Sequence, residues 1–332
     1  MESQLGYRLN RVAIPDHSLF GFADASALIT NKLLQISLAA CNHCICVSHT
    51  GKENTVLRGK VESDRVSVIP NAVDTYAFTP NPSQRAQCQI TIVVVSRLVY
   101  RKGVDLTAQL IADICHKFKQ IHFLIAGDGP KRWLLEEVRE RKGLQDRVVL
   151  LGALEHSQVR NVLVKGDIFL NTSLTEAYCM AIVEAVSCGL KVVSTKVGGI
   201  PEVLPEDLII LTEPTVPALM EGLEQAIEEL NRDKFVCPYE CNKRVEHCYN
   251  WFNIASRTEI VYQSVTKEES KTLSYILQRH LSSGVWPYLL VVSLVFLMLK
   301  FYEFWIPSHN IDVAINYNSK NRDNKNRERN KE

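Results

Sequence analysis

Two carboxylates, Glu176 and Glu184, have seven residues between them in the stretch Glu176-Ala-Tyr-Cys-Met-Ala-Ile-Val-Glu184. The stretch follows the apolar run 167–171, and its periodicity predicts a helix over 177–188 with Gly189 just past its end. On one helix the two carboxylates would lie about 12 Å apart along the axis, much of the length of a nucleotide-sugar. Ionised carboxylates accept charge-assisted hydrogen bonds from sugar and ribose hydroxyls. The free N–H groups and dipole of a helix start suit a diphosphate. Taken alone, the pair would more simply be two exposed helix glutamates.

A second feature changes that balance. Ser96-Arg97-Leu-Val-Tyr-Arg101-Lys102-Gly103 follows the run ITIVVVS at 90–96. Arg97 and Lys102 in a strand-end loop can neutralise a diphosphate leaving group, which stabilises developing charge. A solvated basic turn is the simpler alternative, but it leaves unexplained why Gly103 opens a helix directly after the cations. Three further turns fall at strand ends: Gly127-Asp128-Gly129-Pro130, Val197-Gly198-Gly199-Ile200-Pro201-Glu202, and Val68-Ile69-Pro70-Asn71-Ala72-Val73-Asp74.

Positioning these residues requires an α/β alternation. Apolar runs at 90–96, 121–126, 147–151, 167–171 and 191–195 predict buried strands, and 103–118, 131–142, 156–165 and 177–188 predict helices between them. Continuous apolar strands alternating with helices imply a parallel sheet covered on both faces, with ligands at the carboxyl ends of its strands. The first 80 residues predict less: helices at 31–40 and 51–58, strands at 43–48 and 66–69, and a linker at 79–83. Amphipathic helices are expected at 216–231 and 243–265.

Composition bounds the rest. The 332 residues suggest about two domains. Lys plus Arg is 38 and Asp plus Glu is 37, which argues against a broad basic face for nucleic acid. With 46% hydrophobic and 23% charged residues, global disorder is excluded. No pattern of a signal peptide occurs in residues 1–18, so the ten cysteines are expected to be mostly reduced. Cys41, His43, Cys44 and Cys46 suggest a metal cluster, but an alternating strand would turn His43 away from Cys44 and Cys46. Cys237, Cys241, His247 and Cys248 lack a paired knuckle spacing. No metal is expected at either place. Residues 285–299 are uncharged and mostly apolar, and Trp286, Tyr288, Tyr302 and Trp305 flank the segment, so a single transmembrane helix is expected. Residues 318–332 carry six basic and three acidic side chains, net +3.

The motifs SRLVYRKG, GDGP, LLGALEH, EAYCMAIVEA, CGLKVVST and VGGIPE, over about residues 66–203, together resemble the retaining GT-B glycosyltransferases that use nucleotide-sugar donors. With DHSLFGFADASALITNKLL, HCICVSHTGKENTVLR and IPNAVD the resemblance extends over about residues 16–315. It then points to the branch of that family that glycosylates phosphatidylinositol. This resemblance implies transfer of N-acetylglucosamine from UDP-N-acetylglucosamine to phosphatidylinositol with retention, the first step of glycosylphosphatidylinositol anchor synthesis. UDP-N-acetylglucosamine is a substrate, and no cofactor is expected. The implied partners are the other subunits of the transferase complex, phosphatidylinositol and the membrane, with no nucleic acid. The implied location is the endoplasmic reticulum membrane, single-pass, with the catalytic body facing the cytoplasm.

Residue by residue, the resemblance implies that Arg97 and Lys102 hold the diphosphate and Glu184 the ribose. Glu176, with the backbone at Cys179 and Met180, would hold the donor sugar. Gly127, Gly129, Leu151 and Gly152 would border the base, and His17 would lie near the reacting sugar. The wider family has Glu-Gly-Phe-Gly where this chain has Glu176-Ala177-Tyr178-Cys179, so two glycines are absent. No D-x-D metal motif occurs, so Arg97, Lys102 and the helix dipole would carry the diphosphate charge.

The expected architecture is α/β of GT-B type. It comprises a shortened amino-terminal Rossmann-like domain over 1–82 and a complete donor-binding Rossmann-like domain over 83–240. Helices over 241–283, a transmembrane helix over 284–306 and a basic tail over 307–332 would follow. The family's glycine-rich loop has no counterpart before His17, which is why the first domain reads as shortened. A different class of function fits the same features: a non-catalytic subunit that binds the complex or a UDP-sugar without turnover. A dehydrogenase is disfavoured, since no G-x-G-x-x-G follows a strand.

Overall fold

The computed structural model describes residues 13–16, 25–39, 41–232, 236–268, 273–282, 284 and 286–306. These fall into two compact units divided between Ile276 and Leu277.

The first unit contains two parallel sheets. The smaller has the order β1 (Ala13–Asp16), β2 (His43–Cys46), β3 (Val66–Val68), connected through α1 (Ala25–Ala39) and α2 (His49–Gly59). Side chains alternate across β2. Cys44 and Cys46 pack with Leu38, Cys41, Val61 and Val66, whereas His43 is half-buried and shares a hydrogen bond with Ser67 Oγ at 2.9 Å. The parity expected for His43 therefore holds.

The larger sheet has six strands: β4 (Ile90–Val95), β5 (Ile121–Ala126), β6 (Val148–Gly152), β7 (Ile168–Asn171), β8 (Lys191–Thr195) and β9 (Ile209–Thr212). All pair in parallel, in the order β6-β5-β4-β7-β8-β9. Helices α3 (Val104–Lys117), α4 (Arg132–Arg141), α5 (His156–Leu163), α6 (Met180–Ser187) and α7 (Val216–Asn231) cover it. Both faces of β4 are buried: Ile92 and Val94 join one core with Leu110, Ile111 and Leu223, and Val93 joins the other with Leu163, Ile182 and Val186. Double-sided burial is why the central strands β4, β7 and β8 read as uninterrupted apolar runs. Each fully buried large side chain, such as Phe123 or Phe169, contributes about 2–3 kcal/mol of apolar burial.

The chain then returns to the smaller sheet. α8 (Pro238–Tyr249) lies against α6, with Cys241 and Val245 in its core. α9 (Trp251–Lys267) lays Ile254, Val261 and Val265 on Ile45, Ile69 and Ala72. The single helix expected over 243–265 is thus two. Asn250 is extended (φ −69°, ψ 150°) and its side chain accepts the Asn253 amide at 2.8 Å, which ends one helix and caps the next.

α10 (Leu273–Ser282) crosses the boundary between the units, and α11 (Trp286–Trp305) lies in the second. Among the described residues, no helix is long and apolar enough to cross a membrane. This corrects the span expected over 284–306. The uncharged run of 15 residues, 285–299, would cover only about 22 Å of helix against about 30 Å of hydrocarbon, and Lys300 and Glu303 then interrupt it.

The winding of the larger sheet reverses between β4 and β7. In an open parallel sheet the loops leaving two such strands diverge and leave a crevice at their carboxyl ends.

Candidate active site

The loop after β4 carries Arg97, Arg101 and Lys102, and the loop after β7 carries Thr172 to Cys179. Gly103 lets them meet. It has φ +65°, and a Cβ there would lie 1.9 Å from the Thr172 carbonyl oxygen. The loops are joined by Thr172 Oγ1 donating to the Lys102 carbonyl at 2.9 Å and the Leu174 amide donating to the Arg101 carbonyl at 2.8 Å. Between them lies a cleft of about 370 Å³. Lys102 Nζ reaches both oxygens of Glu176, at 2.7 and 3.0 Å, and both side chains are 17% exposed. Arg97, Arg101, Lys102 and Glu176 are the charged lining residues, three cations against one carboxylate, a net +2. A net-positive crevice at a switch point favours an anionic ligand. From the smaller-sheet side, Val47 and Asn71 complete the wall.

Glu176 does not lie on the helix. α6 starts at Met180, three residues later than the sequence pattern predicts, and Cys179 takes the left-handed conformation (φ 72°, ψ 81°). The carbonyls that would begin the helix are engaged elsewhere. That of Glu176 accepts the Gly199 amide at 3.0 Å, and that of Ala177 accepts the Ser48 hydroxyl at 2.8 Å. The expected 12 Å ladder between the two glutamates is therefore replaced by a loop carboxylate and a helix carboxylate in different settings. Cys179 stands where the wider family has glycine, and it adopts a glycine-like backbone with its side chain buried. Burial first, and then the charge of Glu176, push its thiol up to about 12, so it is a neutral packing group rather than a nucleophile.

Glu184 sits within α6 and is buried. Its Oε1 is 2.9 Å from Nε2 of His156, a residue at the start of α5 whose ring also lies 5.4 Å from that of Phe78. A carboxylate can only accept here, so Nε2 carries the proton.

The structure thus brings Arg97, Lys102, Glu176, Cys179 and Met180 to one cleft. Gly127, Gly129, Leu151, Gly152 and Glu184 do not line it. The first four occupy adjacent strand ends, and the turn of Gly127 and Gly129 packs against the β4 loop at Ser96 and Leu98. The Gly127 amide donates to the Gly152 carbonyl at 2.7 Å, and the Leu98 amide to the Asp128 carbonyl at 2.8 Å. His17 lies outside the described residues. Asn71 and His156 were legible only as members of the IPNAVD and LLGALEH motifs, because no local pattern says that they reach the cleft or Glu184. Ser48 carried no chemical signal at all. Among the described residues, no group of three or more His, Cys, Asp or Glu side chains could hold a metal ion, and the ten cysteines are free.

Comparison with known proteins places this geometry. Residues 78–236 match the glycosyl transferases group 1 family. The chain is 58% identical over 304 residues to a phosphatidylinositol N-acetylglucosaminyltransferase subunit of Homo sapiens, covering 90% of this chain and 63% of that protein. It therefore spans less than two thirds of the human relative. It is 47% identical to the Arabidopsis thaliana protein of the same name, covering 93% of this chain and 69% of that one. Among solved structures it superposes on Anabaena Alr3699/HepE in complex with UDP with a TM-score of 0.67, at 20% identity, covering 76% of this chain and 72% of that one. The pneumococcal O-GlcNAc transferase GtfA in complex with UDP and GlcNAc gives 0.62 at 14% identity, covering 78% and 53%. These two likenesses concern the fold, which is of the GT-B type. Near-full coverage of the chain at 47–58% identity makes it a member of this phosphatidylinositol N-acetylglucosaminyltransferase subunit family.

Proposed function

We propose that the chain transfers N-acetylglucosamine from UDP-N-acetylglucosamine to phosphatidylinositol, with retention, as the first step of glycosylphosphatidylinositol anchor synthesis. The observation that carries this reading is the net-positive cleft at the β4/β7 switch point, where Lys102 pairs with Glu176 and Arg97 lines the same cleft. Arg97 and Lys102 hold the diphosphate. Glu176 and the backbone at Cys179 and Met180 hold the donor sugar, and Glu184 takes the ribose hydroxyls. Gly127, Gly129, Leu151 and Gly152 border the base. The donor's bond from C1 to the diphosphate oxygen breaks and UDP leaves with the electron pair. The inositol oxygen bonds to C1 on the same face, and its proton passes to the departing phosphate. Arg97 and Lys102 stabilise the charge that develops there. The chain works with the other subunits of the transferase complex, on the cytoplasmic face of the endoplasmic reticulum membrane, where its lipid acceptor resides. The names of the relatives support this reading.

The test is transfer of labelled N-acetylglucosamine to phosphatidylinositol by the reconstituted complex. Arg97→Ala and Lys102→Ala are each expected to lower turnover by about 10²–10³. Unchanged turnover in both would remove the diphosphate assignment. Binding of UDP without any transfer by the unaltered chain would select a non-catalytic role instead.

A further inference from the structure

A separate set of contacts ties the smaller sheet to the loop that carries Glu176. Ser48 caps α2, its Oγ accepting the Gly51 amide at 3.0 Å, and the same hydroxyl donates to the Ala177 carbonyl at 2.8 Å. Glu202, from the turn after β8, grips the start of the same helix. Its Oε1 accepts the Thr50 amide at 2.8 Å and the Thr50 hydroxyl at 2.7 Å, and its Oε2 accepts the His49 amide. Three donors, two of them otherwise orphan amides at a helix start, converge on one carboxylate, and the helix dipole favours its charge. Gly199 closes the gap between the two systems. Its amide donates to the Glu176 carbonyl at 3.0 Å, and a Cβ there would lie 2.1 Å from the Ala177 carbonyl oxygen and 2.7 Å from Ser48 Oγ.

We propose that Glu202 is a positioning residue for the transfer. By clamping the start of α2 it fixes Ser48 on the Ala177 carbonyl. That contact holds residues 176–179 out of the helix and turns Glu176 toward Lys102. The smaller sheet and the donor loop then move as one piece, and a displaced α2 releases the loop. The kinetic part of this inference rests on Glu176 holding the donor sugar; the mechanical part does not.

Amide hydrogen exchange on the full chain in its complex tests the mechanical part. In Glu202→Ala, exchange is expected to rise about tenfold in both 48–52 and 175–180. Thr50→Val removes one of the three donors and gives a smaller rise in both segments. Glu202→Gln, which still accepts hydrogen bonds, recovers part of the protection. Faster exchange confined to 48–52 would overturn the coupling. Turnover tests the positioning part: Glu202→Ala is expected to lower kcat about tenfold, with KM for UDP-N-acetylglucosamine changed less than about threefold. A rise in KM with kcat unchanged would overturn it. If UDP-N-acetylglucosamine leaves exchange at 175–184 of the unaltered chain untouched, the donor reading fails, and the exchange comparison between the variants still decides the coupling.

Discussion

Lys102 and Glu176 neutralise each other in the cleft, which leaves Arg97 and Arg101 as its uncompensated charge. An incoming diphosphate would compete with Glu176 for Lys102, so the pair stores a cation that is already oriented. Glu184 shows the same economy at one remove, since His156 fixes its carboxylate at 2.9 Å. A hydrogen bond to a charged group is worth about 1.5–3 kcal/mol. On the proposed ribose role of Glu184, His156→Ala is expected to raise KM for the donor roughly tenfold while kcat changes little. Steady-state kinetics with varied UDP-N-acetylglucosamine would check this, and equal loss in kcat would argue against a binding role. Sequence reasoning placed Arg97, Lys102 and Glu176 together because all three flank strand ends. His156 escaped it because its partner lies 28 positions away on another element.

At the scale of elements, five of the six strands of the larger sheet announced themselves as apolar runs, the central ones because burial on both faces demands it, whereas β9 (Ile209–Thr212) was not expected. Helix starts were less legible. α6 begins late because its first carbonyls are taken by Ser48 and Gly199, residues remote in sequence. α3 begins where it does because Gly103 alone can pass the Thr172 carbonyl. Gly103→Ala combines a positive φ with a backbone clash and is expected to cost about 1–3 kcal/mol. Thermal unfolding would show a lower midpoint, with loss of UDP binding if the two loops part. A substitution at Gly143, also at positive φ (+61°) but with nothing within 4 Å of an added Cβ, meets no clash and should cost less.

For the molecule as a whole, the described residues join the two sheets of the first unit through the clamp at Glu202, the Ser48–Ala177 contact, and Val47, Val73 and Phe78 packing into a core of the larger sheet. The clamp is pH-sensitive. Burial alone would raise the Glu202 carboxyl, but hydrogen bonds from the Thr50 hydroxyl and from the Thr50 and His49 amides hold it below the usual carboxylate range. A carboxyl lowered on folding adds stability that is complete above its unfolded value of about 4.3 and is lost as pH falls through the lower folded value. Unfolding followed from pH 7 to pH 3 should therefore show a smaller loss in Glu202→Gln than in the unaltered chain. Parallel curves would mean that the contact carries no proton linkage.

Residue types and their periods were enough to establish a parallel α/β sheet, five of its six strand positions, and a set of cationic and acidic groups at strand ends. Those features are local: burial sets the apolar runs, and strand-to-helix connections leave polar groups at strand ends. The length and charge of a terminal apolar run misled, because Lys300 and Glu303 shorten it below a bilayer's width. Three things were settled only by tertiary contact. These are the strand order that puts β4 beside β7 and opens the cleft, the loop geometry of Glu176 to Cys179, and the grip of Glu202 on α2. Each depends on hydrogen bonds or packing between segments tens to more than a hundred residues apart, and no local pattern of side chains encodes such a partner.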